Sequence, residues 1–195
     1  MNHTTSITAV LAAAAALCLA VASPASAAPP IIDHWTDHIE HIEQDEHDDW
    51  CPREIVPFDV LYTEDARGTF RLVQHGDGLY YGGTTLKVEA SWTNVDTGKT
   101  FNLTRSGADK DLKVTDNGDD TFTITGLSTG PTTYFDDDGN RLFIDTGRNF
   151  YTFMIDTMGT PSDADDEFTF LGADLKGHFE TMDRDFCADI VEFIG

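Results

Sequence analysis

Four histidines, His34, His38, His41 and His47, stand among eight acidic residues between positions 33 and 49, a stretch without Lys or Arg. Imidazole and carboxylate together suit a divalent transition metal. If the segment is helical, Trp35, Ile39 and Ile42 fall at i, i+4, i+7 and form an apolar stripe. His34, His38 and His41 have the same spacing one position earlier, so they form an adjacent stripe. Two histidines at i, i+4 can share an ion that Asp37 or Asp45 completes. His34, His38 and His41 are therefore the candidate metal ligands. A competing reading makes residues 28–50 a solvated acidic arm that only lays Trp35, Ile39 and Ile42 against the body.

Carboxylates elsewhere invite three further chemistries. Asp-Thr-Gly occurs at Asp96-Thr97-Gly98 and again at Asp145-Thr146-Gly147, the loop that aspartic proteases use in pairs. Here Lys99 and Arg148 follow the glycines where those enzymes place a small residue, and the two copies are only 49 residues apart. Turn formation explains both. Acidic clusters at Asp136-Asp137-Asp138, at residues 116–120 and at residues 163–167 offer oxygen ligands to calcium, but none has EF-hand spacing. With 26 Asp against 9 Glu, aspartates gather wherever turns occur. Glycoside chemistry needs two carboxylates at a set distance, and 35 acids give no basis for choosing a pair. Tyr80, Tyr81, Trp92, Tyr134 and Tyr151 can line a sugar or small-ligand site, although such side chains also serve core packing. Outside the acidic segment the mature chain has only His75 and His178, so no Ser/His/Asp pattern is legible and no catalytic residue is nominated. No motif demands a cofactor; calcium and zinc are the two ions the donors can take.

These residues need a scaffold, and composition limits its kind. The chain has 195 residues, 40% of them hydrophobic, with 12 Lys+Arg against 35 Asp+Glu and a net charge of −23. That apolar content supports a folded core. The charge excludes a nucleic-acid binder and disfavours anionic lipid.

Residues 7–21 form an apolar run followed by Ala25-Ser26-Ala27, the form of a signal peptide cut after residue 27. Cys18 leaves with it, and the remaining Cys51 and Cys187 are expected to pair, as an exported chain with two cysteines permits. The expected location is extracellular, without membrane insertion after cleavage.

From Arg53 onward the apolar period is two. Leu86, Val88, Ala90 and Trp92 alternate with Thr85, Lys87, Glu89 and Ser91, which gives one dry and one wet face. Phe101 and Leu103, Leu112 and Val114, Phe122 and Ile124, and Phe168 and Phe170 continue the alternation. Asp96-Thr97-Gly98-Lys99, Asp116-Asn117-Gly118-Asp119 and Asp137-Asp138-Gly139-Asn140 are turns between them. Residues 143–155 form one bent strand or two strands broken at Gly147, and Phe186, Ile190 and Phe193 suit a short closing helix. The pattern predicts an all-β domain over residues 51–195, an antiparallel meander closing into a barrel, with a two-sheet sandwich as the alternative. A short arm or helix precedes it. Leu86, Val88, Trp92, Phe101, Leu103, Phe122, Ile124 and Phe168 are the expected core.

Asp111-Leu112-Lys113-Val114, Arg141-Leu142-Phe143-Ile144-Asp145, Gly159-Thr160-Pro161 and Asp185-Phe186-Cys187 give residues 51–195 a further character. In these motifs the segment resembles small secreted actinobacterial β-domain proteins of unassigned function. The resemblance implies secretion, a β fold and the Cys51–Cys187 pair; it implies no activity. The expected function is that of a non-enzymatic acidic module that binds a small molecule or a cell-envelope component. The alternative is a small barrel enzyme, a hydrolase or isomerase, with an internal acid/base pair. Oligomeric state is not legible.

Overall fold

The structure, a computed structural model, describes residues 29–46, 50–159 and 165–195. The expected signal sequence, His47 and residues 160–164, which include Asp163 of the acidic cluster at 163–167, lie outside the described residues, as does the side chain of Asp45.

Alternating residues build long strands. They are β1 (Ile31–Ile42), β2 (Val60–Gln74), β3 (Tyr80–Asn94), β4 (Thr100–Asp116), β5 (Thr121–Thr129), β6 (Thr132–Phe135), β7 (Arg141–Asp145), β8 (Arg148–Asp156) and β9 (Glu167–Lys176). A single turn, α1 (Glu43–Glu46), follows β1, and α2 (Phe186–Ile194) closes the chain. All nine strands join one antiparallel sheet in the order β1-β2-β3-β4-β5-β8-β9, with β6 and β7 on a side branch. The branch begins on β4, where Asn102–Arg105 pair with β6 while Ala108–Asp116 pair with β5.

The register keeps the predicted faces. Lys87 and Glu89 are exposed, and Leu86, Val88 and Trp92 are half-buried on the other side. The turns expected after residues 95, 116 and 136 all form. Asn94 accepts from the amides of Asp96 and Thr97 at 2.9 and 3.2 Å, and Asp136 accepts from the Asn140 amide at 2.7 Å. Residues 143–155 are two strands, as one expectation had it. They are broken at Gly147, whose Cα side is occupied by the Phe179 ring, 2.0 Å from where a Cβ would stand.

Three expectations fail. The barrel does not form: β1 and β9 each pair on one side only, so the sheet stays open. Closure requires the two edges to meet. Here the branch at β4 divides the hairpins, and β1 presents Asp33, His34, His38 and Glu40, an edge of polar side chains that resists pairing. The sandwich does not form either, because every strand belongs to the one sheet. The expected N-terminal arm or helix is instead strand β1, paired with β2 from Ile31 to Ile42.

The core is also smaller and further to one end than expected. Phe101 is buried, but Leu86, Val88, Trp92, Leu103, Phe122 and Ile124 are half-buried and Phe168 is 48% exposed. Among the described residues α2 covers the apolar side at one end, against β3 and β4 and, through Phe193, against Phe143 of β7 with ring centroids 5.8 Å apart, while the single turn α1 touches β1 and β2. Val56, Val60, Phe101, Ile190 and Ile194 pack there around the Cys51–Cys187 disulfide, whose Cα atoms are 5.5 Å apart. Asp185 caps the helix by accepting from the amides of Cys187 and Ala188 at 2.9 and 3.2 Å. At the far end, Asn94 Nδ2 donates to the Ile194 carbonyl at 2.9 Å. The sequence-based α2 is therefore observed. No helix among the described residues is long and apolar enough to cross a membrane.

Candidate binding cleft

Where the sheet branches, the backbone of β4 runs against the turn between β5 and β6. Gly130 has φ +114, in the left-handed region, and a Cβ there would stand 2.2 Å from the Ser106 carbonyl oxygen. Only glycine tolerates both constraints. Pro131 follows; it needs no amide partner, and its carbonyl accepts from the Ser106 amide at 3.3 Å. The two backbones part beyond this point and leave an open cleft of about 210 Å³ on the wet face.

Register sets its lining in two rows. Glu89 on β3 stands opposite Thr104 on β4, which stands opposite Thr133 on β6. One step along, Lys87 faces Ser106, with Pro131 beyond it. The cleft is thus lined by an ammonium, a carboxylate and three hydroxyls. Among the described residues none of these five side chains has a hydrogen-bond or ion-pair partner, so their bonding capacity faces solvent.

Arg105 also borders the cleft, but its guanidinium is engaged. It reaches Asp109 at 3.1 Å and Ser128 Oγ at 2.6 Å. Asp111, two residues beyond Asp109, accepts from the Gly82 amide at 2.6 Å. Burial pushes the Asp111 carboxyl up to about 6, and the Gly82 hydrogen bond only partly opposes this. Tyr151 shares that neighbourhood, and burial followed by the charges of Asp109 and Asp111 raises its phenol.

The residues singled out from sequence are dispersed. A strand places His34 and His38 on one face, about 13 Å apart along the chain at strand rise, while alternation turns His41 to the other. His34 Nδ1 meets Thr69 Oγ1 and His38 Nδ1 meets Asp65 Oδ1, each at 2.9 Å. His41 packs tilted against Tyr62 with centroids 5.3 Å apart and lies 3.5 Å from Glu43. The structure does not bring the three together, and Asp37 bonds the His38 amide. Asp96 sits in the exposed β3–β4 turn, whereas Asp145 is buried and accepts from the Thr181 amide and hydroxyl at 3.1 and 2.6 Å. Of the acidic clusters, Asp137 accepts from the Thr100 amide at 3.0 Å and Asp119 from Thr121 Oγ1 at 2.7 Å. No group of three or more His, Cys, Asp or Glu among the described residues is placed to hold a metal.

The aromatic candidates do not meet either. Trp92 and Tyr134 pack around Phe101, and Trp92 donates to Glu43 at 2.9 Å. Tyr81 stacks on His75 at 4.0 Å and bonds Asp77 at 2.9 Å. Tyr80 is half-buried at the start of β3, and His178 lies 3.3 Å from Glu180.

Sequence reasoning placed Lys87 and Glu89 on the wet face but did not see the cleft. Its signal is Gly130-Pro131, which interrupts an otherwise regular hairpin pattern. The fold is thus an open antiparallel sheet with a helix clasped over one end. No protein-family model, curated protein or solved structure matches the chain.

Proposed function

We propose that the chain is an exported, non-enzymatic binding module that holds a saccharide unit of the cell envelope in the branch cleft. One observation carries the reading: two rows of uncommitted polar groups, Glu89-Thr104-Thr133 and Lys87-Ser106, face one concavity. At about 30 Å³ per water, its volume admits roughly seven waters, or a ligand of ten or so heavy atoms. Three hydroxyls that both donate and accept match a polyhydroxylated ring better than an apolar ligand. The aromatic rings lie elsewhere, so recognition rests on hydrogen bonds and charge and is weak per site. The disulfide fits an oxidising compartment.

The test is calorimetric titration of the exported chain with a panel of neutral, acidic and amino monosaccharides, beside Thr104→Val and Thr133→Val. Binding that both variants lose supports the reading. Absence of binding across the panel, or binding untouched by the variants, removes it.

The second reading, an acid–base enzyme, draws on Asp111, whose raised carboxyl titrates where a general acid works well. It predicts turnover of glycoside or ester substrates that disappears in Asp111→Asn while the fold remains.

A further inference from the structure

The two edges of the sheet are built differently. β1 displays Asp33, His34, His38 and Glu40, polar side chains that guard an edge strand paired only with β2 among the described residues. β9 is ten residues long, exposed at every position except Gly172, and charged only at Glu167, Asp174 and Lys176. Phe168, Phe170, Leu171 and Leu175 are 48, 67, 54 and 48% exposed. A long, apolar, unpaired edge of this kind is a template for strand addition.

Its occupant is written in the order of its residues. The ladder between β8 and β9 pairs Phe153 with Phe170 and Thr152 with Gly172, so Leu171 is an extra residue. Before it Phe168 and Phe170 point to the apolar side of the sheet; after it Ala173 and Leu175 do. Now set a second β9 antiparallel to the first, centred on Leu171 and Gly172. Glu167 then lies opposite the partner subunit's Lys176, and Phe168 lies opposite the partner subunit's Leu175. Phe170 meets the partner subunit's Ala173. The extra residue in both strands keeps Phe168, Phe170, Ala173 and Leu175 of both copies on the same side, and both ends carry opposite charges. A two-fold axis makes each contact occur twice.

We propose that β9 is a self-association edge, along which two copies of this chain join antiparallel into one continuous sheet. A charge of −23 on each copy opposes the encounter. Association therefore tightens as ionic strength rises from low to moderate values.

Sedimentation velocity on the exported chain tests this, with Lys176→Glu and the swapped variant Glu167→Lys/Lys176→Glu. Lys176 is exposed, and among the described residues its ammonium meets Asp174 at 3.0 Å and the Phe150 ring at 5.1 Å, so the fold should survive. The wild type is expected to dimerise, and Lys176→Glu to dissociate about tenfold or more readily, since two attractions become repulsions. The swapped variant should recover the dimer. Hydrogen exchange of the wild type should show β9 amides gaining protection with concentration, a readout that needs no variant. A wild type that stays monomeric overturns the proposal, as does a dimer whose β9 amides stay unprotected or whose affinity ignores Lys176→Glu.

Discussion

The ring of Tyr151 on β8 occupies the space beside Gly126, the residue directly opposite it on β5. A Cβ at position 126 would stand 2.3 Å from two carbons of the ring. The glycine is a space left for an aromatic ring. Trp35 uses Gly68 in the same way across β1 and β2. Such pairs let a single sheet bury rings without a second layer above them.

Gly126→Ala should therefore destabilise the protein by about 1–3 kcal/mol, the usual range for overpacking. Its φ is not in the left-handed region, so the penalty is steric and comes from the ring. In a Tyr151→Ala background the same substitution should be nearly neutral. Denaturant melts of the four proteins give the cycle; equal costs in both backgrounds would mean that the ring is not the cause.

Much of this architecture was legible. The run from Leu86 to Trp92 showed which side of β3 is wet, because a buried face and a solvated face impose period two whatever the neighbours are. Asp96-Thr97-Gly98 and Asp137-Asp138-Gly139 marked turns by local chemistry alone. The histidine segment was ambiguous for a physical reason. Trp35, Ile39 and Ile42 satisfy helical spacing, but Trp35, Asp37, Ile39 and His41 also form one face of a strand. Pairing with β2 decides between them, and that is a contact no local pattern contains. Closure of the sheet depends likewise on whether the first and last strands meet. The cleft required knowing that β4 has two neighbours on one side, Asp111 that β4 lies beside β3 where the Gly82 amide meets its carboxylate.

Asp111 should make stability fall as pH rises. Its folded value near 6 exceeds its ordinary 3.8, so the folded state binds the proton more tightly. The group's relative stabilisation is present below about pH 4 and is lost as pH climbs through 6. Asp77, Asp136 and Glu180 are lowered by hydrogen bonds, Asp77 by the Leu79 amide first, and work in the opposite sense at more acidic pH. Asp111→Asn keeps an acceptor for the Gly82 amide and removes the buried charge. It should raise the Tm at pH 8 by about 4–8 °C, which corresponds to roughly 2 kcal/mol. The gain should vanish near pH 4. A variant less stable than wild type at pH 8 would show that the ionised carboxylate is needed.

His38 is the pH-sensitive member of the histidine segment. Its hydrogen bond to Asp65, then the charge of that carboxylate, raises its pKa above 6.5. Both groups are exposed, so the effect on stability is small and confined to pH values at which the imidazole is protonated. In an NMR titration His38 should titrate above 6.5, and Asp65→Asn should bring it down. An unchanged midpoint in Asp65→Asn would contradict the pairing.

Salt should stabilise the fold. Folding concentrates 35 acids against 12 bases, and the few ion pairs, such as Arg53–Asp59, are mostly exposed and contribute little. Screening relieves the repulsion more than it weakens those pairs. Tm should rise between low and moderate NaCl in the Lys176→Glu variant as well, which separates this effect from association along β9. A flat profile with NaCl and a large response to micromolar calcium would instead indicate a specific ion site.

The disulfide should matter more than its single covalent bond suggests, because it joins the two ends of the buried core cluster. Cys51 precedes Val56 and Val60, and Cys187 lies in the first turn of the helix that carries Ile190 and Ile194; all four apolar residues are fully buried. The sulfurs close a separation of 136 residues in the sequence, for which the chain-entropy model gives roughly 5 kcal/mol as an upper figure. Without the bond, α2 keeps its Asp185 cap and the Asn94–Ile194 bond, but its packing must supply the full entropy of docking. Cys51→Ala/Cys187→Ala should therefore cost about 2–5 kcal/mol. The loss should begin at the helix, while β2–β5 stay paired through their own ladders. Hydrogen exchange of the double variant should show amides of Ile190 and Val191 opening before those of Val88 and Ala90. Simultaneous opening of both sets would mean that helix and sheet form one cooperative unit, and that the bond's effect lies wholly in the unfolded chain.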